Sequence, residues 1–94
     1  MLIEIYSIDC KLLSGEIDSA IFPGSDGSFQ VLTNHAPIVS TLTKGKIEIK
    51  GEISFHAEDS SDKYNINKEK KTISLQIESG LVELKKNSIK VLVD

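Results

Sequence analysis

Few residues in this sequence could do covalent or metal chemistry: there are two histidines, His35 and His56, and one cysteine, Cys10, while the acids are scattered along turns and strand faces. A nucleophilic pair of Cys10 and His35 would have to form in space, because such partners need not be neighbours in sequence. Cys10 precedes Lys11-Leu12-Leu13 at the end of a first strand, which reads as a packed or incidental thiol. A metal site needs three or four converging ligands, and His35 and His56 stand apart with no close Cys, His or Asp grouping, so no metal and no cofactor are expected. Gly24-Ser25-Asp26-Gly27-Ser28 hints at a phosphate loop. It lacks the following Gly-Lys-Ser/Thr and opens onto a strand rather than a helix, so a tight turn explains it better. Catalytic residues are therefore expected to be absent.

Asn34-His35-Ala36-Pro37 is the more informative cluster. Pro37 biases Ala36 to an extended backbone and removes a donor, so a polar histidine is presented on a stiff corner. That histidine either satisfies local backbone groups or lies on a contact surface, where polar residues on rigid corners fix orientation.

The elements that must carry these corners are read from two-residue alternation, which puts every second side chain on one face of a strand. Ile17, Ser19 and Ile21 form one such set, Ile47 and Ile49 another, then Ile53, Phe55 and Ala57, then Ile73, Leu75 and Ile77, and last Ile89, Val91 and Val93. Turn-forming residues separate them at Ser14-Gly15, Pro23 to Gly27, Asn34 to Pro37, Lys44-Gly45, Ser79-Gly80 and Lys86-Asn87-Ser88. Short strands broken this often predict an all-β fold, a two-layer β-sandwich or flattened barrel of about eight to ten strands. The polar stretch from Glu58 to Lys71, with Tyr64 and Ile66 as its apolar anchors, reads as a long hairpin excursion. No repeat, linker or second composition zone appears, so one domain is expected over 1–94.

Composition narrows the function classes. With 39% hydrophobic and 27% charged residues the chain should fold. A net charge of −3 lacks the positive field that binds phosphate backbones, so no nucleic-acid partner is expected. Lys68, Lys70 and Lys71 are interrupted by Glu69 in a polar stretch and read as a solvated loop. One cysteine allows no intramolecular disulfide and fits a cytoplasmic-type environment. Met1 to Ser7 alternates and carries Glu4 at once, which suits neither a signal peptide nor a membrane span, so no direct membrane insertion is expected. A free-standing β-sandwich module for carbohydrate or peptide is the alternative reading, but such modules show exposed aromatic platforms. Here Trp is absent, and several of Tyr6, Tyr64, Phe22, Phe29 and Phe55 fall at expected core positions.

Taken in order, these segments resemble the N-terminal domain of the ATP synthase epsilon subunit. The resemblance runs through Leu13-Ser14-Gly15, Ile21-Phe22-Pro23-Gly24-Ser25-Asp26-Gly27-Ser28-Phe29, Asn34-His35-Ala36-Pro37-Ile38-Val39, Leu42-Thr43-Lys44-Gly45 and Glu78 to Leu84. Ile89-Lys90-Val91-Leu92-Val93-Asp94 is similar to the family's Val-x-Val-Leu-Ala-Asp ending. His-Ala-Pro alone would be weak, whereas the ordered set on an all-β pattern is specific. The stretch from about Gly51 to Thr72 is longer than its counterpart in many relatives, and the two-helix C-terminal domain of typical bacterial members has no counterpart before Asp94.

The resemblance implies a non-catalytic rotor part between the gamma subunit and the membrane c-ring, on the cytoplasmic face of the membrane. It implies no obligate homo-oligomer. By matched position it places Ser7, His35, Ala36, Pro37 and Ser40 toward gamma, with Asp26, Gly27, Ser28 and Phe29 toward the c-ring. Ser28 stands where relatives often carry glutamate, and neighbouring Asp26 is the acid that could substitute for it.

Overall fold

Branched side chains at every second position favour pleated backbone, where one face can be buried and the other left to water. The computed structural model describes residues 1–7, 11–51, 64–67 and 72–94. Its strands are β1 (Leu2–Tyr6), β2 (Lys11–Glu16), β3 (Ser19–Phe22), β4 (Phe29–Leu32), β5 (Ile38–Leu42), β6 (Gly45–Lys50), β7 (Tyr64–Asn67), β8 (Thr72–Ile77), β9 (Gly80–Lys85) and β10 (Ser88–Val93). They form two five-stranded sheets, ordered β2-β1-β10-β9-β5 and β4-β3-β6-β8-β7. The pair β1 and β10 is parallel, with Ile3 opposite Ile89 and Ile5 opposite Val91, while the other pairs run antiparallel.

The expected all-β sandwich is what forms. Ile3, Ile5, Val82, Leu84, Ile89 and Val91 of the first sheet face Phe22, Val31, Ile47, Ile49, Ile73 and Leu75 of the second, and all are buried. Among the described residues no polar or charged side chain is buried, so the layer between the sheets is held by apolar contact alone. Each large aliphatic side chain in it contributes about 1.5–3 kcal/mol.

Two expectations are corrected. Ile17, Ser19 and Ile21 do not share a face: Ile17 is buried, but Ile21 is 37% exposed while Ala20 and Phe22 point inward. The chain changes sheets at this point, since the Ile17 N–H donates to the Met1 carbonyl of the first sheet and the Asp18 N–H to the Lys50 carbonyl of the second, at 2.7 and 2.8 Å. The alternation is reset between them. Ser14-Gly15 is no turn but lies inside β2, opposite Glu4 and Ile3. Pairing along an edge strand satisfies the backbone there, and glycine permits a turn without requiring one. By contrast Lys86-Asn87 is the expected turn, a two-residue hairpin loop with φ of 51° and 59° at its two positions. The excursion contributes β7, which pairs with β8, while Ile53, Phe55, Ala57 and Lys68 to Lys71 lie outside the described residues.

Candidate partner-docking surface

The Asn34 to Pro37 corner carries the chain from β4 in the second sheet to β5 in the first. Every residue from Leu32 to Pro37 is exposed. The His35 N–H closes a turn onto the Leu32 carbonyl at 3.1 Å. Nδ1 of His35 lies 2.7 Å from the Ala36 carbonyl oxygen. A carbonyl only accepts, so Nδ1 is the donor in this contact. His35 thus satisfies a local backbone group and stands on an exposed corner. Beside it an open recess of about 420 Å³ is lined by Pro37, Ile38, Val39, Glu83, Leu84 and Lys85.

The Pro23 to Ser28 loop joins β3 to β4 at the other end of the sandwich and is tied across to the first sheet. Ser25 N–H donates to the Thr41 carbonyl at 3.1 Å, the Ser25 and Thr41 hydroxyls are 2.9 Å apart, and the Thr43 N–H donates to the Pro23 carbonyl at 2.8 Å. The tip turns at Gly27, whose φ of 122° suits glycine. A Cβ on Gly24 would lie 2.7 Å from the Gly27 carbonyl oxygen and 2.8 Å from the Phe29 ring, so the loop closes over that ring only without a side chain there. Asp26, Gly27 and Ser28 are exposed, whereas Phe29 is half-buried against Phe22, centroids 5.6 Å apart. Within this set Phe29 anchors the tip and the three others are presented. Nearby, an Asp94 carboxylate oxygen accepts from the Glu78 and Ser79 N–H groups at 3.3 and 3.2 Å, a local reason for an acid at that position.

The residues matched toward gamma are only partly brought together. His35, Ala36 and Pro37 are contiguous, and Ser40 follows on β5. Its register partner Val82 is buried, so Ser40 points to the inner side at the open edge, where its hydroxyl donates to the Thr41 carbonyl at 3.1 Å. Ser7 follows β1 at the opposite end of the first sheet, on a strand separated from β5 by β10 and β9.

What joins these positions is the outer face of the first sheet. Tyr6, Leu92, Leu81 and Thr41 lie side by side in register across β1, β10, β9 and β5. Leu92 is 51% exposed, Leu81 43% and nearby Val39 68%. The next row, Glu4, Lys90, Glu83 and Val39, alternates in charge before ending apolar. Tyr6 donates its phenolic hydrogen to the Glu4 carboxylate, and that bond, more than burial, raises the phenol above its usual range. The outer face of the second sheet carries Ile21 and Leu32 among Lys46, Glu48, Lys50, Ser74 and Gln76. A signal for the apolar row existed in the sequence: Leu81-Val82 and Val91-Leu92-Val93 are apolar in both phases of the alternation, so each strand must show apolar groups on both faces.

Cys10 and His56 lie outside the described residues. Among the described residues no three His, Cys, Asp or Glu side chains are grouped to hold a metal ion, and no helix is long and apolar enough to cross a membrane.

The family described as ATP synthase, Delta/Epsilon chain, beta-sandwich domain matches residues 1–58. An ATP synthase epsilon chain of Leptospira interrogans is 39% identical over 92 residues, covering 98% of this chain and 59% of that protein. One of Chlorobium limicola is 35% identical over 92 residues, covering 98% of this chain and 86% of that protein. Among solved structures, the central stalk and c-ring structure of Tetrahymena thermophila mitochondrial ATP synthase contains a similar fold. Its TM-score is 0.65 at 11% identity, over 99% of this chain and 62% of that one. The chain spans 59% of the length of the Leptospira relative.

Proposed function

Because this chain belongs to the family of ATP synthase delta/epsilon chains, in their β-sandwich domain, we propose that it is a non-catalytic central-stalk part of a rotary ATP synthase. In this reading 1–94 is one domain that links the gamma subunit to the membrane c-ring at the cytoplasmic face. It turns with both, so that ion flow through the ring is coupled to ATP synthesis elsewhere in the complex. The observation that carries the proposal is the separation of two presented surfaces on one stiff body. The Asp26 tip and the His35 corner stand at opposite ends of β4, and the apolar row crosses the first sheet at the level of Thr41, which Ser25 of the tip loop bonds. A close-packed two-layer body resists shear, which suits a part that transmits torque. His35, the recess beside it and the Leu81/Leu92 row face gamma, and Asp26, Gly27 and Ser28 face the polar loops of the ring.

An interface of this kind buries on the order of 800 Å² per partner. Single charges at its rim change affinity modestly: His35→Glu is expected to weaken gamma binding, and Asp26→Lys ring binding, by about three- to tenfold. Ser28→Ala is expected to change ring binding by less than about twofold. Titration calorimetry of the purified chain with gamma, and co-sedimentation with detergent-solubilised c-ring, read all three. If the wild-type chain binds neither protein, the rotor reading fails; a positive glycan or peptide screen would then favour the free-standing module. If both charge variants bind like wild type, the surfaces are misplaced.

A further inference from the structure

Among the described residues three non-glycines have positive φ: Asn34 at 67°, and Lys86 and Asn87 in the β9–β10 turn. That turn requires left-handed backbone at its two central positions, which accounts for Lys86 and Asn87. Asn34 lies 53 residues upstream of Asn87 and meets it through two bonds. The Asn34 N–H donates to Asn87 Oδ1 at 2.8 Å, and Asn87 Nδ2 donates to Asn34 Oδ1 at 3.0 Å. The Asn87 carbonyl also accepts from the Leu2 N–H at 2.9 Å, so one residue joins the start of β1, the hairpin and the His35 corner.

We infer that Asn34 and Asn87 are positioning residues, an amide clamp that holds the His35-Ala36-Pro37 corner in its docking geometry. The corner has no anchor in the core, since Leu32 to Pro37 are all exposed. Glycine would occupy either left-handed position with less strain, but it could not form the paired amide bonds. A loop ordered beforehand loses less freedom when it binds, so the clamp acts on affinity through preorganisation rather than through contact. The inference rests on the proposed reading that this corner faces gamma.

Asn87→Gly keeps the left-handed turn and deletes the amide, while Asn87→Asp keeps the acceptor for the Asn34 N–H and deletes the donor. Three readouts separate the roles: amide hydrogen exchange at Asn34 and His35, affinity for purified gamma, and melting temperature. For Asn87→Gly, exchange at both amides should quicken about tenfold and gamma affinity fall about fivefold, with melting shifted by only a few degrees. Asn87→Asp should retain part of both, and Asn34→Gly/Asn87→Gly should be no weaker than Asn87→Gly alone, because both remove the same pair. Unchanged exchange at Asn34 and His35 would overturn the clamp. Faster exchange with unchanged gamma affinity would overturn its role in docking. Failure of the wild-type chain to bind gamma would instead sink the functional reading, and the exchange rates alone would then decide whether the pair orders the corner.

Discussion

Leu92→Glu is expected to weaken the complex with gamma by about 100-fold while leaving the isolated chain folded. Leu92 is 51% exposed on β10, the middle strand of the first sheet, with Leu81 and Tyr6 on either side in register. Contacts at the centre of an interface lose water most completely, and a carboxylate introduced there would be stripped of solvent, with Lys90 as the one cation in the next row of its face. Its diagonal neighbours include Glu4 and Glu83, which repel it further. The matched control is Ile21→Glu, 37% exposed on β3 of the second sheet and outside the surface proposed to face gamma. It should change gamma affinity by less than about twofold, since surface substitutions away from a contact have small effects. Equal affinities for the two variants would remove the first sheet's outer face from the docking surface.

The sequence carried the fold where a strand's burial is decided by its own alternation. Ile47 and Ile49, then Ile73, Leu75 and Ile77, and last Ile89, Val91 and Val93 all point inward as their spacing predicts. It misled at Ile21, because the chain steps from one sheet to the other at Ile17-Asp18, and a step between layers leaves no mark in hydrophobic spacing. The two presented corners were legible from turn chemistry, as glycine and proline act on their own backbone. The apolar row on the first sheet was less so. The row of Tyr6, Leu92, Leu81 and Thr41 exists only once the parallel pairing of β1 with β10 is known, and strand order is a property of the whole chain. The Asn34–Asn87 pair is similar, being invisible until β4 and the β9–β10 turn are brought to one end of the sandwich. Ser40 shows the opposite failure: it was singled out by matched position, yet its side chain turns inward while Val39 and Thr41 face out.

The largest effect on stability is expected from Phe22→Ala. Phe22 is fully buried at the end of β3 and is among the largest side chains in the core. Removing it leaves a cavity between sheets that are held by apolar contact, at a cost of about 3–5 kcal/mol. A domain of this size has total stability of roughly 5–10 kcal/mol, so melting should fall by about 15–30 °C, measured by circular dichroism. Phe22→Leu preserves most of the volume and should cost less than about 1.5 kcal/mol. The damage should also reach the proposed ring-facing tip, because Phe29 leans on Phe22 at 5.6 Å and the Gly24 backbone closes over Phe29. At a temperature where the alanine variant is still folded, amide exchange from Ser25 to Phe29 should therefore quicken more than at His35, at the other end of β4. A fall in melting of less than about 5 °C would mean that the neighbours collapse into the space, and that packing between the layers is not what fixes the tip.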